Sequence, residues 1–98
     1  MRVIAGNLRG RKLIPLQGFN IRPTSDRARE AVFNMLGSRV RDARVLDLFT
    51  GTGALGIEAL SRGACHATLI DHKCHTVRQN LEHCKLEDQA TVLPLDLV

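Results

Sequence analysis

A glycine-rich segment, Gly51-Thr52-Gly53-Ala54-Leu55-Gly56, lies between a strand-like run and a helix-like run. Glycine in such a turn lets the backbone bend tightly and approach a ligand without a side-chain clash. The G-x-G-x-x-G spacing between a strand and a helix is typical of sites that bind a nucleotide-containing cofactor. A tight turn that holds no ligand is the alternative interpretation.

Asp47 lies four residues before Gly51 and indicates which cofactor the loop binds. A dinucleotide would place a negatively charged pyrophosphate at this turn, and a nearby carboxylate would repel it. S-adenosylmethionine carries an ammonium group, which the same carboxylate would attract. Asp47 therefore favours S-adenosylmethionine over NAD, with a helix-capping or solvated acid as the alternative.

Two further acids follow later predicted strands. Asp71 lies twenty residues after Gly51, where an acid can accept hydrogen bonds from both ribose hydroxyls of an adenosine. Asp96 follows the third strand and is expected to border the adenine, because ligands in such sheets lie outside the carboxyl ends of the strands. The sequence thus predicts one cofactor site that contains Asp47, Phe49, Gly51, Gly53, Asp71 and Asp96.

The elements that must position these residues alternate along residues 44–98. Hydrophobic patterning predicts strands at 44–49, 67–71 and 90–95, and helices at 54–62 and 74–86. This order implies a parallel sheet with right-handed crossovers and the strand order 3-2-1. The expected fold class is α/β, a partial doubly wound (Rossmann-like) fold.

Residues 1–43 are predicted to form a separate basic part that precedes this fold. Strand-like runs at 2–5 and 11–16 around Gly6 and Gly10 predict a hairpin. Thr24 or Ser25 can cap a following helix, which Gly37 ends. The helix is predicted from apolar residues at helical spacing: Ala28, Ala31, Val32, Met35 and Leu36.

The distribution of charged residues divides the chain at almost the same position as the predicted elements do. Residues 1–44 hold ten Lys or Arg against three Asp or Glu, a net charge of +7, whereas residues 45–98 hold four against seven, a net charge of −3. A basic segment suits contact with a polyanion, because each bound cation releases a condensed counterion. The alternative is a solvated basic surface. The candidate RNA-binding residues are Arg2, Arg9, Arg11, Lys12, Arg22 and Arg27.

The cysteines point to a reduced protein without a metal site. Cys65, Cys74 and Cys84 are an odd number, and their spacing to the neighbouring histidines matches no common zinc motif. Cys74 and Cys84 share a helical face with Val77 and Leu81, which predicts that both lie in the core.

Four segments resemble bacterial small-subunit (16S) ribosomal RNA guanine-N2 methyltransferases of the RsmD type, and the likeness covers nearly the whole chain. They are RVIAG at residues 2–6, RGRK at 9–12, RPTSDR at 22–27 and DLFTGTGALG at 47–56. The glycine loop alone would be shared by many enzymes. The first three segments narrow the resemblance to this one family of methyltransferases.

The resemblance implies methyl transfer from S-adenosylmethionine to the N2 amine of a guanine in ribosomal RNA. It implies that Asp47, Gly51, Gly53, Asp71 and Asp96 surround the cofactor and that the basic segments face RNA, free or in an assembling small subunit. Asp71 stands where relatives more often have Glu. The family's catalytic Asn/Asp-Pro-Pro-aromatic motif is not among these 98 residues. We therefore expect an inactive fragment that lacks the C-terminal half and nominate no catalytic residue.

Two other functions remain as alternatives. A non-catalytic RNA-binding module would also use the basic segment, although three aromatic residues make a base-stacking platform implausible. An NAD-dependent oxidoreductase is disfavoured by Asp47. No signal peptide or membrane-length apolar run is evident, so we expect a cytoplasmic protein.

Overall fold

The computed structural model describes residues 1–16 and 25–97. Three strands alternate with helices in the order that the patterning predicts, and short 3-10 turns follow α1 at Gly37–Val40 and precede β3 at Glu87–Gln89. The main elements are α1 (Asp26–Leu36), β1 (Arg44–Leu48), α2 (Ala54–Ser61), β2 (His66–Asp71), α3 (His75–His83) and β3 (Ala90–Pro94).

The three strands form one parallel sheet in the order β1-β2-β3. Asp47 pairs in register with Leu69, and Leu69 pairs with Val92. The predicted parallel sheet and its strand order are therefore confirmed. Within the described residues β1 pairs on one side only, and Leu46 and Leu48 on it remain 62% and 49% exposed.

The core forms where α2 and α3 pack on the sheet. Ile57, Leu69 and Val77 are fully buried there, and Gly56 allows close contact because a Cβ atom on it would lie 2.3 Å from Leu69 Cδ2. Cys74 and Cys84 are buried in the same cluster, as predicted from their helical spacing. None of the helices in the described ranges is long and apolar enough to cross a membrane.

Helix α1 begins and ends at the predicted signals, but the apolar residues that predict it are not the ones that it buries. The Ser25 hydroxyl accepts a hydrogen bond from the Ala28 amide at 3.1 Å, and Gly37 ends the helix at a φ of +55°. The buried residues are Arg29 and Phe33. All the apolar residues used to predict the helix are exposed: Ala28, Ala31, Val32, Met35 and Leu36.

Helix α3 is shorter than predicted, because the chain turns into the left-handed conformation at Lys85, with a φ of +58°. The Lys85 amide donates to the Glu82 carbonyl, and the Leu86 amide donates to the Leu81 carbonyl. These two bonds form a Schellman motif, which satisfies carbonyls at the helix end. Leu86 is then buried against the core.

Residues 1–16, here called the N-terminal arm, form a hairpin with less strand pairing than predicted. Arg2 and Lys12 form one antiparallel bridge, and the Val3 amide donates to the Arg11 carbonyl. Neither predicted strand forms. The reason is that the backbone amides of Ile4 and Ala5 bond to a helix side chain, instead of to the opposite arm residue.

That side chain is Glu58 of α2, a fully buried carboxylate. Its Oε1 accepts from the Ile4 amide at 2.9 Å and from Arg29 Nε at 3.3 Å. Its Oε2 accepts from the Ala5 amide at 3.1 Å and from Arg62 Nε at 2.8 Å. Glu58 therefore joins the N-terminal arm, α1 and α2 through one side chain.

Gly6 and Gly10 provide a matched pair for testing how closely the arm packs on α2. Both have a positive φ, +86° and +85°, but a Cβ atom on Gly6 would lie 1.9 Å from the Ser61 carbonyl oxygen, whereas one on Gly10 meets nothing within 4 Å. Gly10→Ala should cost about 1 kcal/mol of stability from backbone conformation alone. Gly6→Ala adds the clash and should cost about 3 kcal/mol or more.

Urea unfolding followed by circular dichroism measures both variants. Equal losses of stability would contradict the close packing of the arm against α2.

Candidate cofactor site and basic surface

The glycine loop connects β1 to α2 at the carboxyl edge of the sheet. Gly51 and Gly53 have φ values of +59° and +84°, in the region that favours glycine. The Gly53 amide donates to the Thr50 carbonyl at 2.9 Å, which tightens the turn. A Cβ atom on Gly53 would lie 2.6 Å from Val77 Cγ2, so this glycine also permits contact with α3.

Phe49 occupies a strained position directly before this loop. Its φ is +57°, a left-handed conformation that is rare for a bulky residue and costs on the order of 1–3 kcal/mol. Its side chain is 60% exposed at the carboxyl edge of the sheet. The turn thus holds an aromatic ring at the edge instead of burying it.

Asp71 at the end of β2 contacts the glycine loop directly. Its Oδ2 accepts from the Gly51 amide at 2.9 Å, and its Oδ1 accepts from the His72 amide at 2.8 Å and lies 2.9 Å from His72 Nδ1. Burial raises the pKa of Asp71, but the hydrogen bonds and the charge of His72 lower it by more, so the pKa lies below its usual value. Asp71 therefore stays ionised to a lower pH than an ordinary aspartate.

Asp47 is more deeply buried than Asp71, and its pKa shifts in the opposite direction. Burial raises the pKa of Asp47 above its usual value, although hydrogen bonds from the Thr50 hydroxyl and the Gly56 amide lower it in part. The Thr50 hydroxyl lies 2.7 Å from Asp47 Oδ2. Since Gly56 is in the first turn of α2, Asp47 also caps that helix. The capping interpretation and a ligand role are compatible.

A cleft of about 300 Å³ opens beside Asp71 at this edge. Its lining residues come from the ends of all three strands: Phe49, Asp71, His72, Leu95, Asp96 and Leu97. The structure therefore brings three of the predicted residues together around one cavity and places Gly51 against it through its bond to Asp71. Asp47 lines a different, apolar cavity between α1 and β1, and Gly53 is buried against α3.

The predicted RNA-binding residues lie on the surface wherever the structure describes them. Arg2, Arg9, Arg11, Lys12 and Arg27 are all exposed, and Arg22 lies outside the described residues. Because Arg2 and Lys12 are bridge partners in an antiparallel pair, their side chains extend from the same face. Arg11 also donates to the His83 carbonyl at the end of α3, at 3.3 Å.

Not every cation of the basic segment is accessible to a partner. Arg29 is fully buried, where it donates to Glu58, to Asp26 Oδ1 at 3.0 Å and to the Arg2 carbonyl. Arg39 is exposed but donates to the Leu36 and Met35 carbonyls at the end of α1. The net charge of residues 1–44 therefore overstates the basic surface.

Sequence reasoning missed His72 in the cleft and two buried polar side chains, Glu58 and Asn80. His72 was detectable as the neighbour of Asp71. Glu58 lies in α2, which is buried on nearly all sides, and Asn80 lies on the buried face of the amphipathic helix α3; both side chains are fully buried. A polar residue on an apolar helical face needs hydrogen-bond partners, which is the signal that would have identified them.

Comparison with known proteins gives one family match along the chain. The family described as "Conserved hypothetical protein 95" matches residues 1–97. Ribosomal RNA small subunit methyltransferase D of Escherichia coli K12 is 54% identical over 71 residues, 72% of this chain and 36% of that protein. The protein of the same name from Haemophilus influenzae is 40% identical over 97 residues, 95% of this chain and 50% of that protein.

A solved structure agrees with the sequence comparison. The protein yhhF from Escherichia coli superposes with a TM-score of 0.86 and 44% identity, covering 98% of this chain and 53% of that protein. The expected partial Rossmann-like fold is thereby confirmed. The chain spans about half or less of the length of these relatives.

The raised pKa of Asp47 yields a stability prediction. An acid whose pKa is higher in the folded chain destabilises it above that pKa, and this penalty disappears as the pH falls below the ordinary value of 3.8. Asp47→Asn should therefore raise stability at pH 7 by about 1 kcal/mol, since it removes a buried charge. The gain should vanish near pH 3.

Thermal unfolding at pH 7 and pH 3 measures this effect, with the exposed Asp88→Asn as the control for removing one negative charge. A variant less stable than the natural chain at pH 7 would show that the Asp47 charge stabilises the fold.

Proposed function

Since this chain belongs to the family described as "Conserved hypothetical protein 95", we propose that it is the cofactor-binding part of a ribosomal RNA methyltransferase. The proposed reaction is methyl transfer from S-adenosylmethionine to the N2 amine of a guanine in small-subunit ribosomal RNA. The names of the Escherichia coli and Haemophilus influenzae relatives support the reaction class. We propose a cytoplasmic location, with ribosomal RNA or the assembling small subunit as the partner.

The observation that carries the cofactor proposal is the Asp71 carboxylate bound to the Gly51 amide at the edge of the cleft. Each carboxylate oxygen accepts more than one hydrogen bond, so Asp71 can accept ribose hydroxyls while it keeps its bond to the loop. Its lowered pKa keeps this acceptor charged at neutral pH. This hydrogen-bond acceptor therefore fits the ribose hydroxyls of an adenosine.

The rest of the cleft suits the other parts of S-adenosylmethionine. Phe49, Leu95 and Leu97 offer apolar surface for the adenine, and Asp96 borders the same space. Asp47, Asp71 and Asp96 give this edge of the sheet a negative potential, which favours a ligand with ammonium and sulfonium charges. When bound, S-adenosylmethionine supplies an electrophilic methyl group.

The N-terminal arm supports the RNA part of the proposal. Arg2, Arg9, Arg11 and Lys12 are exposed on one hairpin, which buried hydrogen bonds to α2 hold in place. A fixed hairpin presents its cations at constant spacing, so phosphate contacts cost less conformational entropy than they would on a free tail. The proposal assigns the arm to phosphate contacts and nominates no residue that holds the guanine amine.

Calorimetric titration with S-adenosylhomocysteine tests the cofactor proposal. The chain should bind this ligand and not NADH, and Asp71→Asn should weaken binding about 10–100-fold, because hydrogen bonds to a charged acceptor contribute about 1.5–3 kcal/mol. Asp88→Asn removes an exposed acid outside the cleft and should leave affinity unchanged. A folded chain that binds no S-adenosylhomocysteine would refute the proposal.

The salt dependence of RNA binding tests the arm. Replacing Arg9, Arg11 and Lys12 together by Ala should reduce the slope of log K against log salt by about 2–3, since each phosphate contact contributes about 0.7–0.9. The matched control replaces three exposed cations outside the arm: Arg41, Arg44 and Arg78. Equal changes in the two triple variants would indicate non-specific attraction to the whole surface.

A further inference from the structure

The N-terminal arm and the glycine loop meet at one side chain, Asn80 of α3. Its Oδ1 accepts from the Ile14 amide at 2.7 Å, and its Nδ2 donates to the Ile14 carbonyl at 2.9 Å. The same Nδ2 donates to the Thr52 carbonyl in the glycine loop, also at 2.9 Å. Asn80 is fully buried, and its bond to Thr52 is buried as well.

A second contact joins the same two segments. A Cβ atom on Gly51 would lie 3.2 Å from Leu16 Cδ1, which places the Leu16 side chain directly against the loop. Gly51 is thus held between Leu16 of the arm and the Asp71 carboxylate, which accepts from its amide. The N-terminal arm therefore helps to hold the glycine loop in position.

The chemistry of this position requires an amide side chain. Ile14 presents both an N–H donor and a carbonyl acceptor, and Thr52 presents a second carbonyl. Asparagine carries one acceptor and two donor hydrogens, which match these three partners. An aspartate of the same shape keeps the bond to the Ile14 amide, but places a carboxylate oxygen against two carbonyls.

We infer that Asn80 is a positioning residue that couples the N-terminal arm to the glycine loop, so that ligand binding at the loop and order in the arm stabilise each other. The coupling is reciprocal, because two segments held by one side chain share the free energy of that link. Polyanion contact on the arm would therefore strengthen ligand binding at the loop. This inference rests on the proposed cofactor site.

Hydrogen exchange without ligand tests the physical link alone. Asn80→Ala should speed exchange at the amides of Ile14 in the arm and of Gly53 and Ala54 in the loop. The control is Ser61→Ala, which also removes two arm hydrogen bonds, to Ala5 and Leu8, but touches no loop residue. It should speed exchange in the arm and leave the loop amides unchanged. Equal loop exchange in both variants would overturn the inference.

Ligand binding then tests the coupling. In the natural chain S-adenosylhomocysteine should slow exchange of the Ile14 amide, which lies outside the cleft. Asn80→Ala should abolish that protection and raise the Kd about tenfold, as expected if the competent loop conformation falls to about a tenth of the population. Ser61→Ala loosens the arm at Ala5 and Leu8 but leaves the Asn80 bonds to Ile14 and Thr52 in place, so it should keep both the protection and the Kd within about twofold. Unchanged affinity and protection in Asn80→Ala would overturn the inference.

One further result separates this inference from the proposed function. If the folded natural chain binds no S-adenosylhomocysteine, the cofactor proposal fails, and the exchange comparison without ligand still decides whether Asn80 links arm and loop. If Asn80→Ala does not fold, Asn80→Ser replaces it, because a hydroxyl brings no charge into this buried position. Serine can accept from the Ile14 amide but has one donor hydrogen where asparagine has two, so loop protection should fall more than arm protection; the reverse order would overturn the inference.

Discussion

The structure depends on one buried carboxylate, that of Glu58. Burying an ionised carboxylate costs several kcal/mol unless its oxygens are fully hydrogen-bonded, and here two backbone amides and two arginines supply four donors. Those donors belong to the N-terminal arm, α1 and α2. The requirement to satisfy one charge therefore fixes how three segments, distant in sequence, pack together. Arg62 extends this arrangement, since its guanidinium also stacks over the Phe33 ring at 4.9 Å.

The need of buried polar side chains for hydrogen-bond partners also explains why the N-terminal arm is a hairpin without strands. An isolated two-stranded hairpin is marginally stable in water, so the arm requires partners from the rest of the chain. Its backbone groups bond to Glu58, Ser61 and Asn80, all on helices that pack on the sheet. Each of these side chains replaces a cross-strand partner. The arm is thus attached along its length to α2 and α3, which places its cations at fixed positions relative to the glycine loop.

Local patterns in the sequence predict the parallel sheet, its order and most element boundaries, because hydrophobic periodicity and glycine positions report local conformation. They do not predict the burial of Arg29 and Phe33 in α1, because the partner of Arg29 is Glu58, twenty-nine residues away. They also place the end of α3 too late, since the left-handed turn occurs at Lys85 and not at a glycine. The sequence positions of Glu58 and Asn80 indicate that each needs hydrogen-bond partners, but no local pattern identifies those partners, because they are distant in sequence.

The acids at the sheet edge show that similar positions on neighbouring strands acquire different properties. Asp47 is buried beneath the turn, and its pKa rises, whereas Asp71 receives backbone amides at the cleft, and its pKa falls. Asp47 accepts a hydrogen bond from the Gly56 amide in the first turn of α2, whereas Asp71 holds the glycine loop through the Gly51 amide and is the residue proposed to accept a ligand. The strained Phe49 separates the two along the chain. Strain and buried charge together at one edge are expected where a fold retains a costly local structure for binding, because neither improves stability alone.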